Sequence, residues 1–266
     1  MDLTTLMASL PELITGAMCV LFRLVSIFVI GIPFGYHTAV PMRVKVFLML
    51  HISTVMVAAL GFPSVDVGNA GPIGWLVVLA PEILLGLSMG FIVRLVLWTA
   101  EGLGTLVAMS VGLAFAQSVD PGTGIQSTAV GKIANMMAIL LMLSLNTHLE
   151  VIGALFGSFH RYPPGQVPNF THSTLEIANL GGVFIAESLR LAAPVVACGL
   201  VIYLVLAVIS RVAPQMNLFA IGFPMLIMGG LTAFGLSLPD IAAVWVSDFS
   251  TMGERLVVFI VSGRVT

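Results

Sequence analysis

The chain has 266 residues, 59% of them apolar and only 8% charged, with a mean hydropathy of +1.12 and a net charge of −2. A soluble domain carries about 25% charged residues, so twelve acids and ten bases cannot shield this much hydrocarbon from water. The composition excludes a soluble fold, and the absence of clustered Lys and Arg excludes a nucleic-acid partner.

In chain order, no Lys or Arg precedes Arg23, so the start lacks the positive region of a cleaved leader and the first apolar segment is expected to remain. Windows long enough to span a bilayer, about 17 to 20 residues, run over 24–42 and 46–65, on either side of the basic pair Arg43 and Lys45. The next, 73–99, is interrupted only by Glu82 and Arg94; 133–149, 191–210 and 212–239 follow. These runs are continuous rather than alternating, which predicts helices and not barrel strands. The expected fold is therefore all-α, a multi-span membrane protein of about six hydrophobic helices. With six spans, Arg43, Lys45, Arg94, Lys132 and Arg211 fall on one side, which the positive-inside rule makes cytoplasmic.

Residues 102–119 carry no charge yet include Gly102, Gly104 and Gly112 and run into Gln117, Asp120 and Pro121. Glycine weakens a helix by about 1 kcal/mol per position, and irregular backbone at membrane depth survives only inside protein or along a cavity. A re-entrant or pore-lining loop is predicted here. At the other breaker, Arg211 and Pro214 interrupt an apolar hairpin, and Pro214 restricts Ala213 to extended conformations. A tight turn follows, with Gln215 and Asn217 placed to satisfy freed backbone groups.

Gly86-Leu-Ser-Met-Gly90 matches the nucleophile-elbow pattern, but it lies in a continuous apolar run with no strand before it. The spacing also makes a G-x-x-x-G packing face, repeated at Gly31/Gly35 and Gly153/Gly157. His37, His51, His148, His160 and His172 show no ligand spacing, and Cys19 and Cys198 sit in apolar runs, so no metal, cofactor or enzymatic activity is expected. Arg23, Glu82, Arg94, Glu101, Glu187 and Arg190 would each cost a few kcal/mol facing lipid and are predicted to face protein or water. Arg94 and Glu101 are seven apart on one helix face, and Glu187 and Arg190 can pair at a spacing of three. No span carries a string of acids, which favours structural pairing within subunit interfaces over a proton relay.

The stretch Ser210-Arg-Val-Ala-Pro-Gln-Met-Asn-Leu-Phe-Ala-Ile-Gly-Phe-Pro224 resembles the signature of the FliR family. Further pieces match in the family's order: Arg23 with Pro33, Pro41 with Lys45, Glu82 with Gly86, Gly90 and Phe91, Glu101 with Gly104, and Gly112 with Asp120-Pro121. His148 followed by Ser158 and Pro164, and then Pro194-Val195, complete the set. The family often has Asn-Gly-His where this chain has Asn146-Thr147-His148. The resemblance implies a structural subunit of the flagellar type III export gate, in the bacterial inner membrane at the flagellar basal body, with hairpin helices projecting toward the periplasm. It implies FliP-like, FliQ-like, FlhB-like and FlhA-like partners, unfolded exported polypeptides as cargo, and contact with membrane lipid. Residues 1–180 would be the FliP-like hairpin region and 181–266 the FliQ-like hairpin and tail. The family's plug loop falls on 108–120, so Met109, Gly112, Leu113, Phe115, Gln117, Asp120 and Pro121 become candidate gate residues. Arg23, Glu82, Arg94, Glu101, Glu187, Arg190, Arg211, Pro214, Gln215, Asn217 and Phe219 become candidate assembly residues. The alternatives are the homologous subunit of a virulence injectisome, which shares the Pro-Gln-Met-Asn core, and a stand-alone secondary transporter. No convincing internal repeat supports the transporter.

Overall fold

A computed structural model describes residues 3–31, 41–66, 71–112, 129–166, 170–215 and 217–262, and these are helical with short turns. The helices are α1 (Leu3–Ile30), α2 (Met42–Ala59), α3 (Gly71–Ser110), α4 (Ala129–Ser144), α5 (Thr147–Arg161), α6 (Phe170–Val212), α7 (Leu218–Ser250) and α8 (Met252–Ser262). Five are long and apolar enough to cross a membrane, over Leu10–Ile30, Met42–Ala59, Ile73–Ser110, Ile177–Val212 and Ala220–Ser250. The pair α4 and α5, bent by 65° where Asn146 adopts a left-handed φ of 57°, makes a sixth if taken as one broken span. The chain is a multi-span all-α membrane protein.

The number of spans agrees with the sequence reading, but their limits do not. Span one does not begin after Arg23 or reach Met42; its helix runs from Leu3 to Ile30, because Arg23 is fully buried against protein and does not interrupt it. The third span continues past Glu101 to Ser110, the fifth begins well before Glu187, and the last continues through Pro239 and Asp240. A charge that finds a partner inside the protein does not end a helix, so windows cut at charges come out short.

Two compact units emerge: residues 1–94, 146–180 and 251–266 form the first, and 95–145 and 181–250 the second. In the first unit α1 packs on α2, and α5 packs on α8. The return from α2 is a left-handed turn in which Gly61 (φ 74°) and Phe62 (φ 58°) donate their N–H groups to Ala58 and Val57. It brings Val65 N–H to the carbonyl of Glu12 at 3.1 Å. Gly16 permits this, since a Cβ there would collide with the Pro63 carbonyl. In the second unit α4 packs on α7, and the Trp245 indole donates to Thr99 Oγ1 at 3.2 Å with both residues fully buried.

Candidate functional site

The polar centre of the first unit is built on two ridges of i, i+4 residues. Arg23, Ile27 and Gly31 of α1 face Glu82, Gly86 and Gly90 of α3, the pairing of like ridges common between helices. The glycines let the backbones touch. A Cβ on Gly90 would lie 3.0 Å from the Ile27 carbonyl oxygen, one on Gly31 2.7 Å from the Gly90 Cα, and one on Gly86 would collide with the Arg23 carbonyl. Ser88, the serine of the elbow-like pattern, is helical and donates its hydroxyl back to the Leu84 carbonyl at 2.7 Å.

At the end of this contact Arg23 Nε meets Glu82 Oε2 at 2.6 Å, with both side chains fully buried. The other nitrogens of Arg23 and the second oxygen of Glu82 also have partners. Arg23 Nη1 donates to Ser158 Oγ at 3.0 Å and Nη2 to the Tyr162 carbonyl at 3.1 Å, while the Phe159 ring lies under the guanidinium with its centroid 4.1 Å away. Ser158 can accept because its own proton goes to the Leu155 carbonyl. Glu82 Oε1 accepts from Gly165 N–H at 2.9 Å, and Gly165 holds a left-handed φ of 86°. The Tyr162 hydroxyl donates to the Ile260 carbonyl at 3.0 Å, which extends the network to α8. An ion pair removed from water is costly unless its leftover lone pairs and protons are bonded, and here three guanidinium N–H groups and both carboxylate oxygens find partners. It ties α1, α3, α5, the 162–166 turn and α8 into one block.

The candidate gate residues begin in the second unit, at the end of α3. Residues 102–110 are helical, which corrects the expected loop over 102–119 for that part. Gly102 and Gly104 are contact points rather than breakers: a Cβ on Gly102 would lie 3.0 Å from Ser188 Oγ, and one on Gly104 would collide with Gly131. The helix ends at Ser110 and the chain turns at Gly112, whose φ of 78° is left-handed and whose N–H bonds the Met109 carbonyl. Three glycine contacts hold this terminus: Gly199 against the Ser110 carbonyl, Gly230 against Val111, and Gly112 against the Phe223 ring. Met109 is 61% exposed. Leu113, Phe115, Gln117, Asp120 and Pro121 lie outside the described residues, as do Pro33, Gly35 and His37.

Of the candidate assembly residues, the structure brings Arg23 and Glu82 together. Glu101 accepts from Asn135 Nδ2 at 3.3 Å; Arg94 and Glu187 are half-buried, and Arg190 and Arg211 are exposed. Pro214 and Gln215 form an exposed turn, and Asn217 caps α7 by accepting from Ala220 N–H through Oδ1 at 3.3 Å. Phe219 lies in the first turn of α7. Among the described residues the expected Gly153/Gly157 contact is not formed, since a Cβ on either would meet none of their atoms within 4 Å. Sequence reasoning missed Phe159, Tyr162 and Gly165 as parts of the polar centre; the signal was the two opposite charges, each isolated in an apolar run. Among the described residues no group of three or more His, Cys, Asp or Glu could hold a metal ion.

Known proteins resemble this chain over most of its length. A family model described as bacterial export proteins, family 1, matches residues 14–252. The flagellar biosynthetic protein FliR of Pectobacterium carotovorum subsp. carotovorum is 33% identical over 207 residues, 78% of each chain. Its counterpart in Escherichia coli (strain K12) is 31% identical over 79% of each chain. That of Aquifex aeolicus (strain VF5) is 32% identical over 245 residues, covering 91% of this chain and 92% of the relative.

Proposed function

The chain belongs to the FliR family of bacterial export proteins, and from that premise we infer that it is a structural subunit of the flagellar type III export gate. It is a membrane-embedded component of an apparatus with other members. In finer detail, we place it in the inner membrane and assign it FliP-like, FliQ-like, FlhB-like and FlhA-like neighbours. Together they form the conduit for unfolded polypeptides, with residues 1–180 as the FliP-like part and 181–266 as the FliQ-like part.

One observation carries the dependence on partners. Val183, Ile185, Leu189, Leu200, Leu204, Val208 and Val212 are all more than half exposed on α6. Between the exposed Arg190 and Arg211 lies a charge-free run of about 30 Å that matches a hydrocarbon core, and Val183, Ile185 and Leu189 are exposed beyond Arg190. That additional apolar surface calls for protein cover. Residues 108–120 serve as the plug, hinged at Gly112 where α6 and α7 hold the end of α3.

Coexpression tests the assembly: the chain with FliP-like and FliQ-like proteins is expected to give a defined complex, and alone a heterogeneous one. A monodisperse, transporting homo-oligomer of this chain would overturn the reading. For the plug, Phe115→Ser in the assembled complex is expected to raise ion conductance without loss of assembly; unchanged conductance would put the seal elsewhere.

A further inference from the structure

We propose that Gly199 of α6 with Phe223 and Gly230 of α7 form a socket that positions the end of α3, and that Ser110 and Val111 stay seated in it while the channel opens. The proposal rests on the reading of residues 108–120 as the plug and narrows it, because residues 108–111 become its fixed base.

The socket follows from which way successive glycines face. Gly222 and Gly229 close the α6–α7 hairpin on itself: a Cβ on Gly222 would lie 3.0 Å from Leu206 Cδ1, and one on Gly229 2.6 Å from Ile202 Cδ1. Gly230 is turned by about 100° from Gly229 around the helix, and it faces α3 instead. A Cβ there would lie 2.5 Å from Val111 Cγ2, so Val111 fills a hole that exists only because position 230 has no side chain. Gly199 makes the second wall, where a Cβ would lie 3.1 Å from the Ser110 carbonyl oxygen. The Phe223 ring makes the third, with Cε1 and Cδ1 at 3.3 and 3.6 Å from a Cβ placed on Gly112. Three consecutive residues of α3 and its turn thus each meet a different wall.

The seat holds one side of the helix. Val107, Ala108 and Val111 are buried, whereas Met109 is largely exposed. Ser110 donates its hydroxyl to the Leu106 carbonyl at 2.7 Å, which leaves its backbone to meet α6. Withdrawal of α3 would strip Val111 of its contacts and leave an empty hole between helices, and both effects oppose it. The end of α3 is therefore a fixed point, and Phe223 sets where the turn at Gly112 lies.

The test uses the copurified complex in membrane vesicles. With Ser110→Cys and Gly199→Cys the two Cβ atoms would stand 3.6 Å apart, within the span of about 3.5 to 4.5 Å that a disulfide requires. Cys198→Ala removes the neighbouring thiol. Oxidation is expected to cross-link the chain and to leave export at the rate of the reduced form. Absence of the cross-link in an assembled complex, or a loss of export that returns on reduction, would overturn the proposal, since either shows Ser110 leaving Gly199. Where the double-cysteine chain fails to assemble, Phe223→Ala decides. The half-buried ring is worth about a tenfold bias toward the seated turn. Conductance is expected to rise by about that factor with subunit composition unchanged, and Phe223→Tyr, which keeps both contacting ring atoms, to recover most of the parent value. Unchanged conductance for Phe223→Ala would overturn the positioning role. Phe115→Ser separates this proposal from the plug reading: if it leaves conductance unchanged the plug reading fails, while a cross-link without loss of export still supports the socket.

Discussion

Replacing Arg23 with Met tests whether the buried pair works by charge alone or through its fitted set of partners. The change strands Glu82, which is fully buried and keeps only Gly165 N–H as a donor at 2.9 Å among the bonds described above. It also takes the donor from the Tyr162 carbonyl and the cation from the Phe159 ring. Removing one member of a buried pair costs about 3 to 5 kcal/mol. At about 2 to 4 °C per kcal/mol for a chain of this size, the melting temperature of the assembled complex in detergent should fall by roughly 6 to 20 °C. Arg23→Met with Glu82→Met removes the stranded charge and should recover part of that loss. The exchange Arg23→Glu with Glu82→Arg should recover little, because Gly165 N–H would then face a cation and the Tyr162 carbonyl an acid. Thermal unfolding of the complex and the steady-state level of the chain in membranes read all three variants. Full recovery by the exchange, or an unchanged melting temperature for Arg23→Met, would refute the claim that backbone partners fix the pair's direction.

The glycine contacts sort by what lies opposite. Gly86→Ala should lower membrane accumulation, by about 1 to 3 kcal/mol of overpacking against α1, whereas Gly153→Ala should be neutral or slightly stabilising, since no atom of the described residues lies within 4 Å of a Cβ there. Gly112→Ala forces a left-handed φ on a residue with a Cβ, at about 1 to 2 kcal/mol; it should shift conductance of the assembled complex while leaving its subunit composition intact. Asn217→Leu removes the side-chain acceptor that caps α7, worth about 1 kcal/mol, and should reduce the yield of copurified partners while membrane insertion stays at the parent level.

The class of fold could be read from the sequence because hydropathy depends on neither register nor partners, and the continuous runs admit only helices. Span limits could not, because a charge buried against a distant partner does not end a helix. Arg23, Glu101 and Asp240 all lie within helices; at Arg23 the reason is a partner 59 positions away, which no local window contains. The glycines of α3 depart from their local signal for a related reason. Gly102 and Gly104 have the composition of a loop but act as close-approach points against Ser188 and Gly131, again distant in sequence. Local signals fared better where the physics is local, as at Pro214 and Asn217, where the turn and cap form within a few residues. The reach from Arg23 to Ser158, Tyr162 and Gly165 belongs to tertiary structure, and only the isolation of two opposite charges in hydrocarbon hinted at it.

Those same distances change the reason for expecting partners. From sequence, lone charges in apolar helices argue that neighbouring subunits must neutralise them. In the first unit the chain does this itself: Arg23 and Glu82 pair with each other, and Ser158, Tyr162 and Gly165 add three further bonds. Loss of a partner subunit would expose no unpaired charge at this node. In the second unit α6 exposes large aliphatic side chains on both sides of Arg190, more of them than one hydrocarbon-core length holds. Dependence on neighbours therefore rests on apolar area, which is non-directional and tolerant of substitution. Polar replacement at one exposed α6 position, such as Leu204→Ser, should weaken assembly only modestly, whereas disrupting the internal pair should destabilise the chain before it can assemble. A Leu204→Ser variant that blocks assembly completely would show instead that α6 docks through one dominant anchor.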